Sequence, residues 1–314
     1  MTSLTASAPG KVVLCGEYAV LDGAPAISMA VNRRAVVTRI PASGNEPAVK
    51  SIGLAAGTDR SLFDGAVRAA RFERADDYAF VLDTSAFVDA DNGEKFGIGS
   101  SAALMVALSR SLAPDEASDQ EVEAIAAKAH RDFQNGAGSG VDIATSVAGG
   151  LIEFRMPDTT VSKLVWPSGL SFALLWSGVA ASTRERVGRL VASEAKPSRK
   201  ALANAAATTA VAWRSGSAAA VITAHIHYTA ALMKFSVDHG LGIFEAGHDV
   251  LVRDANTDRL VYKPCGAGGG DVGIALATDS AQLSAFVERA GEIGFRHLDF
   301  DIDTTGVQVT REHE

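Results

Sequence analysis

An α+β fold in two domains is predicted for this chain of 314 residues by three features. Short β-branched runs broken by glycine open the sequence, and a long alanine-rich stretch follows in its second half. Strand-like and helix-like runs occur in both halves, yet they do not alternate regularly enough for a single βαβ winding. With 47% apolar and 21% charged residues the composition is globular, which excludes a disordered or fibrous chain.

Taken in order, residues 11–40 read as strands and tight turns, through the runs KVVLCG, YAVLDG, PAISMAV and RAVVTRI. A helix is predicted over 60–74, where Leu62, Ala66, Val67 and Ala70 recur at helical spacing. Residues 79–90 are extended again. The segment FGIGSSAALMVALSRSL is a glycine turn running into a helix, and 119–132 forms another helix. GAGSGVDIATSVAGG repeats the pattern of glycine turn and small apolar residues. The polar stretch 155–168, with two prolines, marks a domain boundary and divides the chain into 1–163 and 164–314. Beyond it SFALLWSG is a buried strand, 184–256 is largely helical, and VYKPCGAGGGDVGIALA is a glycine loop followed by a strand. A helix over 279–292 and one or two strands over 295–310 complete the order.

Charge and composition narrow the function classes. The formal net charge of −8 argues against nonspecific nucleic-acid binding. No apolar run approaches the roughly 20 residues that a membrane-spanning helix needs. MTSLTASAPGK lacks the basic and apolar regions of a secretory leader. Two cysteines, Cys15 and Cys265, do not make a disulfide framework, so a reducing cytoplasm is expected. A homodimer is left open. His225 and His227, two apart on a helix, do not share a face, so no metal pair is expected there.

Chemistry concentrates at three glycine loops. At Gly97-Ile98-Gly99-Ser100-Ser101-Ala102 a glycine turn precedes a helix, with Ser100 or Ser101 available as its cap. A helix N-terminus with free N–H groups is a ready anion site. The segment also fits GxGxxA, but a polar DADNGEK stretch precedes it where a dinucleotide fingerprint requires a strand. No GxxxxGK[ST] occurs, which excludes a Walker A loop. In the second loop, Asp142 follows Ser139 and Gly140; it reads as a helix cap or as a general base beside a transferred phosphoryl group. The third loop, Lys263 to Asp271, places four glycines in five positions. Ordering them is entropically costly, which points to a backbone approached closely by a ligand or by another strand.

With Pro9-Gly10-Lys11 and Gly16 to Gly23 at the start, these segments resemble the GHMP kinase superfamily in three motifs, in order, at Pro9–Gly23, Lys95–Ala103 and Lys263–Ala275. They are most similar to the phosphomevalonate kinase branch: Glu94-Lys95-Phe96 precedes the first loop, the third loop reads KPCGAGGGDVGIAL, and 176–184 reads WSGVAASTR. GEYAVLDGAPAI is intermediate between that branch and mevalonate kinase. The resemblance implies a ribosomal protein S5 domain 2-like N-terminal domain, a ferredoxin-like C-terminal domain, and a cleft between them for ATP with Mg²⁺ and a small-molecule acceptor.

The same resemblance implies site residues. ATP phosphates are expected on Gly97, Ile98, Gly99, Ser100, Ser101 and Ala102, with Mg²⁺ on Ser100 or Ser101 and on Asp132, since Arg131 stands where mevalonate kinases carry Glu. Lys11, Lys95 and Asp142 are expected around the transferred phosphoryl group. The acceptor is expected at Glu17, Tyr18, Ser139, Ser182, Thr183, Arg184, Gly268, Gly269 and Asp271. A phosphorylated acceptor already carries nucleophilic oxygens at neutral pH, and its difficulty is repulsion between anions. Lys95 is an extra cation suited to that task, with Asp142 then orienting Lys11. The implied reaction is conversion of 5-phosphomevalonate to 5-diphosphomevalonate. Mevalonate kinase, diphosphomevalonate decarboxylase and a non-catalytic ATP-binding module are the alternatives.

Overall fold

The computed structural model describes residues 2–42, 48–54, 58–134, 136, 138–181, 186, 188–190, 196–255 and 257–313. Two sheets organise them. The first has seven strands in the order β11-β1-β2-β4-β3, with β5 on the other half of β2 and β6 on β5. Its long members are β1 (Thr2–Cys15) and β2 (Ala26–Pro41), paired antiparallel. β3 (Ala48–Ile52), β4 (Tyr78–Asp83), β5 (Leu151–Arg155) and β6 (Thr160–Leu164) extend it. β2 serves two neighbours because it is long: Ala26–Met29 pair with β5 and Val36–Pro41 with β4.

Four helices pack with this sheet: α1 (Thr58–Ala70), α2 (Ser100–Leu112), α3 (Asp119–Phe133) and α4 (Val141–Ala148). α2 is buried from Ala102 to Leu112: Ala102–Leu108 are apolar, and the buried Arg110 and Ser111 donate to backbone carbonyls. α3 starts in a capping box in which Ser118 and Glu121 satisfy each other's backbone N–H groups.

The second sheet is antiparallel, in the order β10-β7-β9-β8. Its strands are β7 (Ser171–Trp176), β8 (Leu260–Pro264), β9 (Val272–Ala277) and β10 (Arg296–Leu298). Between β7 and β8 lie α5 (Pro197–Ser215), α6 (Ala218–Asp238) and α7 (His248–Ala255); α8 (Ser280–Glu292) joins β9 to β10. In chain order the sheet is 4-1-3-2 with helices in both crossovers, the ferredoxin-like pattern. Pro197 opens α5 where its missing N–H costs nothing, and Gly216 closes it in the left-handed conformation.

The domain division needs one correction. β11 (Gln308–His313) pairs with β1, so the end of the chain joins the first sheet rather than the second. The polar stretch expected as a boundary also contains β6, so the change of sheet falls between Leu164 and Ser171. The third glycine loop is the turn of the β8–β9 hairpin. One buried apolar cluster runs through both sheets, from Leu104 and Met105 of α2 to Trp213, Tyr228 and Ile274.

Candidate active site

The first motif works through a break in β1. The register of β1 against β2 shifts between Pro9 and Gly10. There the absent side chain of Gly10 admits Ile98 O and the Phe87 ring, each 2.8 Å from where a Cβ would stand. The Lys11 N–H donates to Ile98 O at 2.8 Å, fastening the first glycine loop to the strand. The Lys11 stem then crosses Gly99, with Cε 3.0 Å from the position of a Cβ. Gly99, left-handed at φ 82°, is the N-cap of α2, and no side chain bonds the helix end. Ser100 and Ser101 therefore do not cap α2 as expected. Among the described residues its first N–H groups have no side-chain acceptor, and the lysine passes beside them, an arrangement suited to an anion. Ile98 and Ala102 are buried.

Asp142 stands half-buried in the first turn of α4, whose N-cap is Gly140. Its Oδ1 accepts from Ile143 N–H at 3.1 Å, and among the described residues no ion pair joins it to Lys11. The expected orientation of Lys11 by Asp142 is thus absent from this geometry. Ser139 Oγ accepts from Val141 N–H at 3.3 Å, at the start of the same helix.

The expected metal ligands separate. Ser101 Oγ lies 3.2 Å from His130 Nε2, which also lies 3.3 Å from Gln134 Nε2. His130 belongs to the buried face of α3 with Val122, Ala126 and Ala129. Asp132, two residues further and so about 200° around the helix, is exposed. A hydroxyl and an imidazole without a carboxylate are not the oxygen set that Mg²⁺ prefers. Among the described residues no group of three or more His, Cys, Asp and Glu side chains is placed to hold a metal ion. The donors here do not fit a protein-built Mg²⁺ site. His130 and Gln134, with Arg131, Gly138 and Gly140, line a shallow pocket beside the second loop. The sequence signal for His130 was its place four residues from Ala126 on the apolar face.

Glu17 is a second correction. Its Oε1 accepts from Lys263 Nζ at 2.5 Å and its Oε2 from the Tyr228 hydroxyl at 2.6 Å, with both charged side chains 2% exposed or less. Tyr228 Oη in turn accepts from Gly16 N–H at 2.9 Å. This buried network ties the first motif to α6 and β8 and leaves no face for an acceptor. Burial alone would lower the Lys263 pKa, and the neighbouring Cys265 and Glu17 outweigh it and keep the ammonium charged. Burial pushes the Cys265 thiol up to about 11, so neither it nor the fully buried Cys15 is a nucleophile.

The third loop is packed by protein. Tyr18, at φ 60°, donates its hydroxyl to Ala267 O at 2.7 Å. A Cβ on Gly268 would meet Ile243, and one on Gly269 would meet Arg186. Gly268 and Gly269 are buried; their glycines admit neighbouring protein groups rather than an acceptor. Asp271 differs: a Cβ on Gly97 would run into its carboxylate, so the first and third loops touch. Burial raises its pKa to about 6, against the Ala181 N–H, Lys11, Arg186 and Lys95, which favour the ionised form. Lys95 is exposed. Arg186, mostly buried, bonds Leu241 O at 3.1 Å and Gly269 O at 3.4 Å; nothing in its sequence context distinguished it from its neighbours. Ser182, Thr183 and Arg184 lie outside the described residues.

Other polar residues have structural partners. Arg34 pairs with Asp303 at 2.5 Å, and Arg33 lies over the Phe300 ring. His225 accepts from Trp213 Nε1 at 3.0 Å, and burial lowers its pKa to about 3; His227 is exposed on the same helix.

Two folded sheets meet at a glycine loop that opens a helix, with the Lys11 stem laid across its first turn, an arrangement suited to an anion. Residues 65–150 match the GHMP kinases N terminal domain. The chain is 29% identical to a phosphomevalonate kinase of Streptomyces sp. (strain CL190), over 86% of this chain and 88% of the relative. It is 36% identical to a mevalonate kinase of Methanothermobacter thermautotrophicus, over 47% of this chain and 49% of that one. The structure of Streptococcus pneumoniae phosphomevalonate kinase in complex with phosphomevalonate and AMPPNP superposes with TM-score 0.79 at 19% identity, covering 95% of this chain and 99% of that chain. The chain carries a GHMP kinases N terminal domain match over residues 65–150 and is a small-molecule kinase. No helix among the described residues is long and apolar enough to cross a membrane.

Proposed function

We propose that this kinase transfers the γ-phosphoryl group of ATP to 5-phosphomevalonate, giving 5-diphosphomevalonate and ADP. The observation that carries the reading is the Lys11 stem laid across Gly99 at the uncapped start of α2, with Lys95 as a second cation whose field reaches the same cleft carboxylate. The similarity to a phosphomevalonate kinase over most of both chains supports the acceptor.

In this reading the α2 N–H groups hold the nucleotide phosphates, and Lys11 neutralises charge on the group in transfer. An acceptor phosphate oxygen forms the new bond to the γ-phosphorus as the bond to the β–γ bridging oxygen breaks, and ADP leaves with that electron pair. Lys95 offsets the repulsion between the two anions. Asp142 is kept as a charged group near the transfer. An ion entering with ATP would be held by the nucleotide's own phosphates, and the steps above are carried by the protein's residues alone.

A mevalonate acceptor is the second reading, favoured by the match of half the chain to a mevalonate kinase. Coupled ADP release with mevalonate, 5-phosphomevalonate and 5-diphosphomevalonate offered separately, with CO₂ followed in parallel, decides between them. Turnover with 5-phosphomevalonate alone and no CO₂ is expected. Turnover with mevalonate alone overturns the acceptor, and CO₂ from 5-diphosphomevalonate overturns the reaction class.

A further inference from the structure

Asp271, at the end of the third glycine loop, touches the first loop at Gly97, and its bonds run in two directions. On one side it is stitched to the segment after β7. Its N–H donates to Val179 O at 2.7 Å, its carbonyl accepts from Ser177 N–H at 3.0 Å, and Oδ1 accepts from Ala181 N–H at 3.1 Å. On the other side the carboxylate lies on the face of Gly97, in the space a side chain there would need. The residue adopts φ 55°, a left-handed conformation that a non-glycine residue enters at a cost.

The carboxylate is also expensive to keep. It is desolvated enough to hold its proton up to about pH 6, although Lys11, Lys95 and Arg186 favour the ionised form. An apolar side chain would fill the same space without that cost, but it would leave the Ala181 N–H without its acceptor. Strained backbone and a perturbed carboxyl together, at the junction of two loops, are the signature of a group kept for function.

We propose that Asp271 is a positioning residue that locks the phosphate loop at Gly97 to the acceptor-side segment 177–181, so that nucleotide and acceptor meet in one register. This rests on the kinase reading above. The lock acts by contact and by the bond to Ala181 N–H, and Asp271 itself is assigned no chemical step. Its removal loosens one substrate relative to the other rather than weakening the nucleotide site alone.

Two measurements on the full chain test it. The first is steady-state kinetics of Asp271→Ala and Asp271→Asn, using whichever of the three mevalonate-series acceptors the wild type turns over. For the alanine variant the acceptor KM rises about tenfold and kcat falls about 10²-fold, while the ATP KM stays within about twofold of wild type. The asparagine variant, whose amide oxygen still accepts from Ala181 N–H, recovers most of the loss. Equal rises in both KM values, or an asparagine variant as impaired as alanine, overturn the proposal. The second is amide hydrogen exchange on the ligand-free chain. In Asp271→Ala exchange rises at 96–99 and at 177–181 together, and in Asp271→Asn at neither. A rise confined to one segment overturns the lock. The exchange arm uses no acceptor, so absence of turnover with 5-phosphomevalonate overturns the proposed function without touching this result.

Discussion

Among the contacts that join the two halves of the molecule, two treat a carboxylate in opposite ways. At Glu17 the carboxylate is enclosed and fully met, with Lys263 and Tyr228 each bonding one oxygen. Among the described residues the Asp271 carboxylate bonds one N–H, rests on a glycine, and has three cations near it without an ion pair. The first arrangement leaves nothing for a substrate to replace. The second leaves Lys11, among the described residues, without a carboxylate partner beside the start of α2. A kinase cleft needs both: a junction that fixes the domains, and a junction whose charges answer to what binds.

The sharpest break of that comparison is at Lys263. Lys263→Met leaves Glu17 buried with only the Tyr228 hydroxyl, and unpaired buried charge costs about 3–5 kcal/mol. Chemical denaturation should show that loss. The double variant Glu17→Gln with Lys263→Met should recover much of it, because desolvation of both charges is relieved together. A single variant as stable as wild type would mean the junction is not the lock described here.

Lys11→Met should reverse the pattern. Its ammonium is placed to act on a phosphate and its stem is shortened by little, so stability should change by less than about 1 kcal/mol. Turnover should fall about 10²–10³-fold, the scale of losing one preorganised charge at a transition state. Measured kcat with the denaturation midpoint on the same preparation checks both halves. A matching loss of stability would place Lys11 with the buried junction instead of the cleft.

Lys95→Met is the milder version. The side chain is exposed, so its field is partly screened. A loss of about tenfold in kcat is expected, with ATP affinity changed less. Equal losses in kcat and ATP affinity would make Lys95 a nucleotide contact and remove the argument for an anionic acceptor.

What the sequence reveals follows from how far apart the partners lie. Helices over 119–132 and 279–292 are legible to within a residue because their periodicity and caps are local. The glycine turn that opens α2 is legible because glycine before an apolar run is a local signal. Glu17 is misread because its partner Lys263 is 246 residues away. Gly268 and Gly269 are misread for a related reason: their close neighbours, Ile243 and Arg186, come from other elements and carry no local signal. Asp132 and His130 are separated by helical phase, which adjacency in the sequence conceals. β11 returns to β1 across nearly the full chain, a pairing that no window of residues displays.

The smallest expected effect sharpens the comparison most, because it reads the Asp271 charge directly. In the unfolded chain this carboxyl has the ordinary value of 3.8, and in the folded chain burial raises it to about 6. Between those values the folded state holds a proton that the unfolded state has released. The stabilisation from Asp271 is therefore fully present below about pH 3.8 and is lost as pH rises through about 6. Asp271→Asn removes that dependence, so its melting temperature relative to wild type should climb between pH 4.5 and pH 8. After allowance for water reaching the carboxylate, the gain at pH 8 should be about 1 kcal/mol. Glu17→Gln, by contrast, leaves the buried Lys263 ammonium without its carboxylate partner and should destabilise at pH 8. A flat difference across this range, or a wild type that gains on Asp271→Asn as pH rises, would show that the cleft cations satisfy Asp271 as completely as Lys263 satisfies Glu17.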